Sequence, residues 1–230
     1  MKQLNTTLRS NYHFYLSSLF FMVCCGLILL TVSKAESFIS LNSFHSFSLN
    51  VFFVNYTFLG DGLFAIGLCA FLFYRKQKKL ALLLLAAYLS SGLVTQILKN
   101  CIYAPRPRIF FEASQYLYHL DNFGNSGGGS SSFPSGHTTS AFAIATVLAV
   151  YFRNKYISVL LLIAASLVGY SRIYLAAHFP IDVLVGACIG IVFSTITIVL
   201  INSNIKIRFW EKVNQHDTQW DKQFTHTVIY

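Results

Sequence analysis

Long uninterrupted apolar runs constrain this chain more than any other feature. They extend from about Leu16 to Val32, Phe58 to Tyr74, Leu80 to Ile97, Thr138 to Phe152, Ile157 to Leu175 and Ile181 to Ile201. A helix crosses a bilayer with about 20 apolar residues, so each run reads as a span. Backbone amides inside a membrane must be satisfied within their own segment, and the two-residue alternation of a barrel strand is absent, so the spans are expected to be helical. The expected architecture is all-α: a bundle of six transmembrane helices forming one domain over residues 1–230, with 203–230 as a polar cytoplasmic tail carrying Trp210 and Trp220. Lys2 and Arg9 before the first run also resemble the start of a signal peptide. That run exceeds the usual apolar core of about 7–15 residues, so a retained span is expected.

Charge gives the orientation. Only 11% of residues are charged and 55% are hydrophobic, against about 25% charge in an ordinary soluble domain. Six spans place both termini on one side, with Lys2, Arg9, Arg75, Lys76, Lys78, Lys79, Arg153, Lys155, Lys206, Arg208, Lys212 and Lys222, which are 12 of the 17 Lys and Arg. Basic loops stay in the cytoplasm, so the termini are expected there. The net charge of +9 is thereby used up by topology and by the outer site below, and no nucleic-acid partner is called for. Lys34, Lys99, Arg106, Arg108 and Arg172 remain on the outer side. A cation at such depth requires an anionic partner or a wet cavity.

Three clusters converge on that outer side. Lys99 precedes Arg106-Pro107 at the end of the third span; Pro134-Ser135-Gly136-His137 opens the fourth; Ser171-Arg172, His178 and Asp182 bridge the fifth and sixth. Singly, each is a polar group near a membrane surface, and snorkelling would account for one lysine. Together they bring three cations, two histidines and a carboxylate to one level, a set that suits a polyanion such as a phosphoryl group. Ser135 can cap the fourth span, and Gly136 lets a ligand approach the free amides of its first turn. Asp182, four residues after His178, can fix its tautomer and leave the other ring nitrogen as a nucleophile, while His137 is placed to protonate a leaving oxygen.

Lys-x6-Arg-Pro, Pro-Ser-Gly-His and Ser-Arg-x5-His-x3-Asp resemble the three-part signature of the type 2 phosphatidic acid phosphatase (PAP2) superfamily, over residues 99 to 182. At ~5% usage per residue type, the four fixed residues of the third part alone would arise by chance in roughly one chain in a thousand. The family contains membrane lipid phosphatases and soluble vanadium haloperoxidases. The resemblance implies that Lys99, Arg106, Arg172, Ser135 and the Gly136 amide bind phosphate. It further implies that His137 is the general acid, that His178 becomes a phosphohistidine oriented by Asp182, and that water releases phosphate with no metal or other cofactor. It also implies six helices with the active site facing outward.

The expected function is therefore hydrolysis of a lipid phosphomonoester or pyrophosphate, with undecaprenyl pyrophosphate, phosphatidylglycerol phosphate, phosphatidate and lipid A phosphates as candidate substrates. A phosphotransferase using the same intermediate, or a lipid transporter keeping the fold without catalysis, are the alternatives. The expected setting is a bacterial cytoplasmic membrane, with lipid and bilayer as partners and no obligate protein partner. Pro107, Pro134 and Ser171 are expected to support the site. Asp61 in Gly60-Asp61-Gly62 resembles a segment of bacterial members and could equally support the site or cap a helix. Arg108 is at most a rim residue, because the repeated Arg-Pro of many relatives is replaced by Arg108-Ile109.

Other features read more simply. Cys24, Cys25, Cys69, Cys101 and Cys188 lack metal spacing and are expected to be buried packing thiols. His13, His45, His119, His216 and His226 are expected at surfaces or interfaces. The Gly/Ser tract Gly124–Ser132 reads as a flap beside the site, and the Phe-rich stretch Phe38 to Phe58 as an outer interfacial segment.

Overall fold

The computed structural model describes residues 2–113, 116, 118, 120 and 131–204. The expected tail from residue 205 on, with its two tryptophans and four basic residues, most of the Gly/Ser tract, and His119, His216 and His226 lie outside these residues. Ten α-helices and no strand occur among the described residues: α1 (Lys2–Ser10), α2 (Tyr12–Thr31), α3 (Lys34–Asn42), α4 (Phe47–Tyr56), α5 (Gly62–Tyr74), α6 (Lys78–Cys101), α7 (Pro107–Ala113), α8 (Gly136–Phe152), α9 (Lys155–Tyr174) and α10 (Pro180–Asn204), with a 3-10 turn at Thr57–Gly60. The described part of the chain is all-helical, and the protein is an integral membrane protein. Large apolar side chains are exposed along the helices, including Leu16, Phe20, Leu27 and Leu30 on α2, Leu93 on α6 and Leu160 on α9. Outward apolar faces on apolar helices of bilayer length are the pattern lipid requires.

Among the described residues, α2, α6, α9 and α10 are each long and apolar enough to cross a membrane, and a fifth crossing results if α4 to α5 is one bent span. The apolar run expected as the second span is thus preceded by α4, and the helix pair bends by 58° at Gly60-Asp61-Gly62. Asp61 causes the restart: its carboxylate accepts from the Leu63 amide at 2.8 Å and caps α5. The expected fourth span corresponds to α8, a shorter apolar helix of 17 residues.

Helix α8 sits at the centre, packed on α6, α9 and α10. Every side chain from Thr138 to Val147 is buried, so its small and apolar residues meet protein all round. The approach to α10 depends on two glycines one turn apart. A Cβ at Gly186 would stand 2.6 Å from the Ser135 carbonyl oxygen, and one at Gly190 2.6 Å from that of Thr139. Close backbone packing of this kind is the usual role of a Gly-x3-Gly pair in a membrane helix. Phe142, Ala145, Leu162, Val168, Ala187 and Phe14 fill the core where α2, α8, α9 and α10 meet.

Of the cysteines, only Cys69 is buried; Cys24, Cys25 and Cys188 are half-buried and Cys101, ending α6, is exposed, so the expectation of five buried thiols is corrected. Four of the five lie on α2, α5 and α10, where a helix face turned outward is still apolar, which explains why an apolar run does not imply a buried thiol.

Candidate active site

The C-terminal ends of α6 and α9 and the N-terminal ends of α5, α8 and α10 meet at one end of the bundle. Arg75, Lys76, Lys78, Lys79, Arg153 and Lys155 lie at the opposite helix ends. The alternating helix directions thus separate the basic loops from the three motif clusters.

The phosphate-side residues are presented by distinct elements. Lys99, in the last turn of α6, donates from Nζ to the Ser131 carbonyl at 3.1 Å. Arg106, just before α7, donates to the Ala177 carbonyl at 3.3 Å. Its burial lowers the guanidinium from its ordinary value and the Asp182 carboxylate opposes that, but an arginine stays cationic. Arg172, 9% exposed in the last turn of α9, donates from one terminal nitrogen to Thr57 Oγ1 at 2.8 Å, while its Nε is buried with no hydrogen-bond partner. Ser135 caps α8, accepting from the Thr138 hydroxyl at 2.8 Å, and its own amide donates to the Asp182 carbonyl at 3.0 Å. At Gly136 an added Cβ would meet nothing within 4 Å, so the space over that backbone is open.

The histidines face this cluster from two sides. His178 lies between α9 and α10 and is 3% exposed. It is held under the end of α9 because Ala176 takes a left-handed conformation (φ 51°) and the Ala177 and His178 amides both donate to the Arg172 carbonyl, at 2.9 and 3.1 Å. The Asp182 carboxylate faces His178, with Oδ2 3.7 Å from Nδ1. Ser132 stands beside both, donating from Oγ to Asp182 Oδ2 at 2.6 Å and lying 3.4 Å from His178 Nδ1. The Ser132 proton is committed to the carboxylate, so Oγ can only accept at Nδ1. That nitrogen therefore carries hydrogen, and Nε2 keeps its lone pair. The Phe179 amide, at 2.9 Å, also donates to Asp182 Oδ2 and holds the carboxylate in place. Burial, reinforced by Arg172 and Arg106, pushes the His178 imidazole down to about 4 against the opposing pull of Asp182, so it is neutral at pH 7. His137, second residue of α8, has Nε2 3.6 Å from Asp61 Oδ2.

All eight expected catalytic and phosphate-side residues come together at this end, and Asp61 joins them while also capping α5. The supporting residues are less direct. Pro107 and Pro134 are buried where α7 and α8 begin, and Ser171 bonds back to the Val168 carbonyl of its own helix at 2.6 Å. Arg108 pairs with Glu112 on an exposed face at 2.9 Å, and Lys34 lies 4.0 Å from the centroid of the Phe179 ring.

Ser132, Thr57 and Asn42 were not anticipated. Ser131 and Ser132 end the tract expected to be a flap, yet both are buried against the site. Asn42, 2% exposed, donates from its amide to the Ile173 and Tyr174 carbonyls at 2.9 and 2.8 Å, satisfying the open end of α9. The half-buried His45 lies 3.1 Å from the same Tyr174 carbonyl, an interface position as expected. The Phe-rich stretch forms α3 and α4, with Phe38 buried against Phe111 and Phe179, and with Phe44 and Phe47 exposed.

The model of the PAP2 superfamily matches residues 80–206. The chain is 33% identical to a lipid A 4'-phosphatase of Porphyromonas gingivalis over 134 residues, 56% of this chain and 55% of that protein, and so spans about half the length of that relative. It is 33% identical to the undecaprenyl-diphosphatase BcrC of Bacillus subtilis over 146 residues, 63% of this chain and 69% of that one. Among solved structures, Aquifex aeolicus LpxE superposes with a TM-score of 0.59 at 37% identity, covering 71% of this chain and 93% of that one. The family match spans more than half of a chain whose three motif clusters meet in space, and the chain belongs to the PAP2 superfamily.

Proposed function

We propose that the protein is a lipid phosphatase that hydrolyses a phosphomonoester or pyrophosphate by way of a phosphohistidine at His178. One observation carries this: three cations and a neutral, oriented imidazole converge, and the buried Nε of Arg172 has no protein partner and points to an anion. In the first step Nε2 of His178 attacks phosphorus, the bond from phosphorus to the lipid oxygen breaks, and His137 gives that oxygen a proton. Water then attacks the phosphohistidine, returns a proton to His137, and releases phosphate with His178 restored. Lys99, Arg106 and Arg172 neutralise charge on the equatorial oxygens. Ser135, whose oxygen accepts from Thr138, keeps its own proton to donate.

The named relatives act on lipid A and undecaprenyl diphosphate, which supports an amphiphilic phosphate as substrate and both a monoester and an anhydride as reactive groups. We read α8 as a sixth span, short because it is enclosed by protein, within one domain whose basic helix ends face the cytoplasm and whose site faces outward. A bacterial cytoplasmic membrane fits the sources of these relatives. The test is phosphate release by purified protein in detergent across a panel of lipid monophosphates and pyrophosphates. Inorganic phosphate is expected, with vanadate inhibiting as a phosphate mimic. A lipid-linked phosphate product would instead favour transfer to a second lipid, and no turnover on any lipid phosphate would refute the proposal.

A further inference from the structure

The Gly60-Asp61-Gly62 segment does more than restart a helix. The two oxygens of Asp61 serve separate groups: Oδ1 accepts from the Leu63 amide at 2.8 Å, and Oδ2 stands 3.6 Å from His137 Nε2. The glycines fix this approach. A Cβ at Gly60 would lie 2.6 Å from the His137 carbonyl oxygen, and one at Gly62 would lie 2.5 Å from the Tyr88 hydroxyl. Any larger residue at position 60 would push the turn off the start of α8 and carry the carboxylate away from His137.

His137 has an unfavourable setting for a group that must hold a proton. Burial acts first against its charged form, Arg172 of α9, His178 between α9 and α10 and Arg106 before α7 add positive or potentially positive charge, and Asp61 is the anionic group among the charges that act on it. A general acid surrounded by cations needs a counter-charge to stay loaded.

Resting on the phosphatase reading above, we propose that Asp61 is a positioning residue for His137. It favours the protonated imidazole against those opposing influences and turns it so that Nε2–H faces the carboxylate and Nδ1–H faces the leaving oxygen. The site then holds two acid–histidine pairs of opposite purpose: Asp182, with Ser132, keeps His178 oriented for attack, and Asp61 favours the proton that His137 gives up at departure. During the reaction the Nδ1 proton passes to the lipid oxygen as the phosphorus–oxygen bond breaks, and the incoming water restores it.

Asp61→Asn retains an oxygen for the Leu63 amide and removes the charge. On a lipid monophosphate, whose alkoxide leaves only with a proton, kcat is expected to fall at least ~10-fold with KM little changed. On an aryl monophosphate carrying an alkyl tail, whose phenolate leaves unaided, the loss is expected to be small. The basic limb of kcat/KM should move to lower pH by about one unit. Asp61→Ser, another capping residue without a carboxylate, should behave alike, and thermal unfolding in detergent confirms that both are folded. An equal loss on both substrates, or an unmoved basic limb, overturns the inference while leaving the phosphatase reading intact. A wild-type protein inactive on both substrates refutes that reading itself.

Discussion

In the proposed mechanism His178 is made a nucleophile by its neighbours. Ser132 and Asp182 keep hydrogen on Nδ1, and burial with two arginines nearby keeps the ring neutral down to about pH 4. A group with a depressed value is deprotonated above it, so activity should persist as pH falls and be lost only near 4. The acid limb of kcat/KM, corrected for ionisation of the substrate, is expected near 4; a limb at the ordinary imidazole value of about 6.5 would contradict the burial argument. The unfolded chain takes up this proton first, so the same group costs stability as pH drops from about 6.5 toward 4. Ser132→Ala should lower kcat by about 10-fold or more at constant fold by releasing the tautomer, as kinetics and thermal unfolding together can show. The motif residues were legible in the sequence because their types and spacings state their chemistry. Ser132 was not, since a serine inside Gly124–Ser132 looks like its flexible neighbours, and only the fold brings it against Asp182 from 50 residues away.

At the scale of elements, the site is placed by close contacts of helix ends. Gly186 seats the start of α8 on α10, so Gly186→Ala forces the Ser135 carbonyl aside and is expected to destabilise by about 1–3 kcal/mol while reducing activity. Gly92→Ala, in the middle of α6 with nothing within 4 Å of the new Cβ, should be neutral or stabilising by up to about 1 kcal/mol. Thermal unfolding of the two variants in detergent separates steric contact from helix propensity. Asn42→Ala removes one donor from each of two α9 carbonyls, which keep the Ala176 amide and His45 beside them, and should cost about 0.5–1.5 kcal/mol. The long apolar helices α2, α6, α9 and α10 were legible as runs. The bend between α4 and α5 was not, because hydrophobicity reports length and not direction, although Asp61 with its flanking glycines marked the place. The close approach at Gly186 and Gly190 was not read from the sequence, because the helix that a small residue receives is fixed only by the assembled bundle.

For the whole molecule, function follows from which end of the bundle meets which side of the membrane. The basic helix ends and the motif ends are opposite, so the exposed Cys101 at the end of α6 reports on the active-site side. A variant keeping Cys101 as its sole cysteine should react with a membrane-impermeant maleimide applied to intact spheroplasts, and labelling only after permeabilisation would reverse the orientation. The grouping of the basic helix ends away from the motif ends was legible from charge counting, because basic residues mark loops and not packing. The enclosure of α8 was not, because an apolar run reads alike whether it meets lipid or protein. The central claim is that these helix ends form one machine for moving a phosphoryl group onto His178. Acid-free denaturation of the protein during turnover on a lipid phosphate, followed by peptide mass spectrometry, tests this most directly. The account predicts one phosphoryl group on His178, absent in His178→Ala, which stays folded and releases no phosphate. Turnover that continues in that variant, or a phosphoryl group trapped on any other residue, would contradict it.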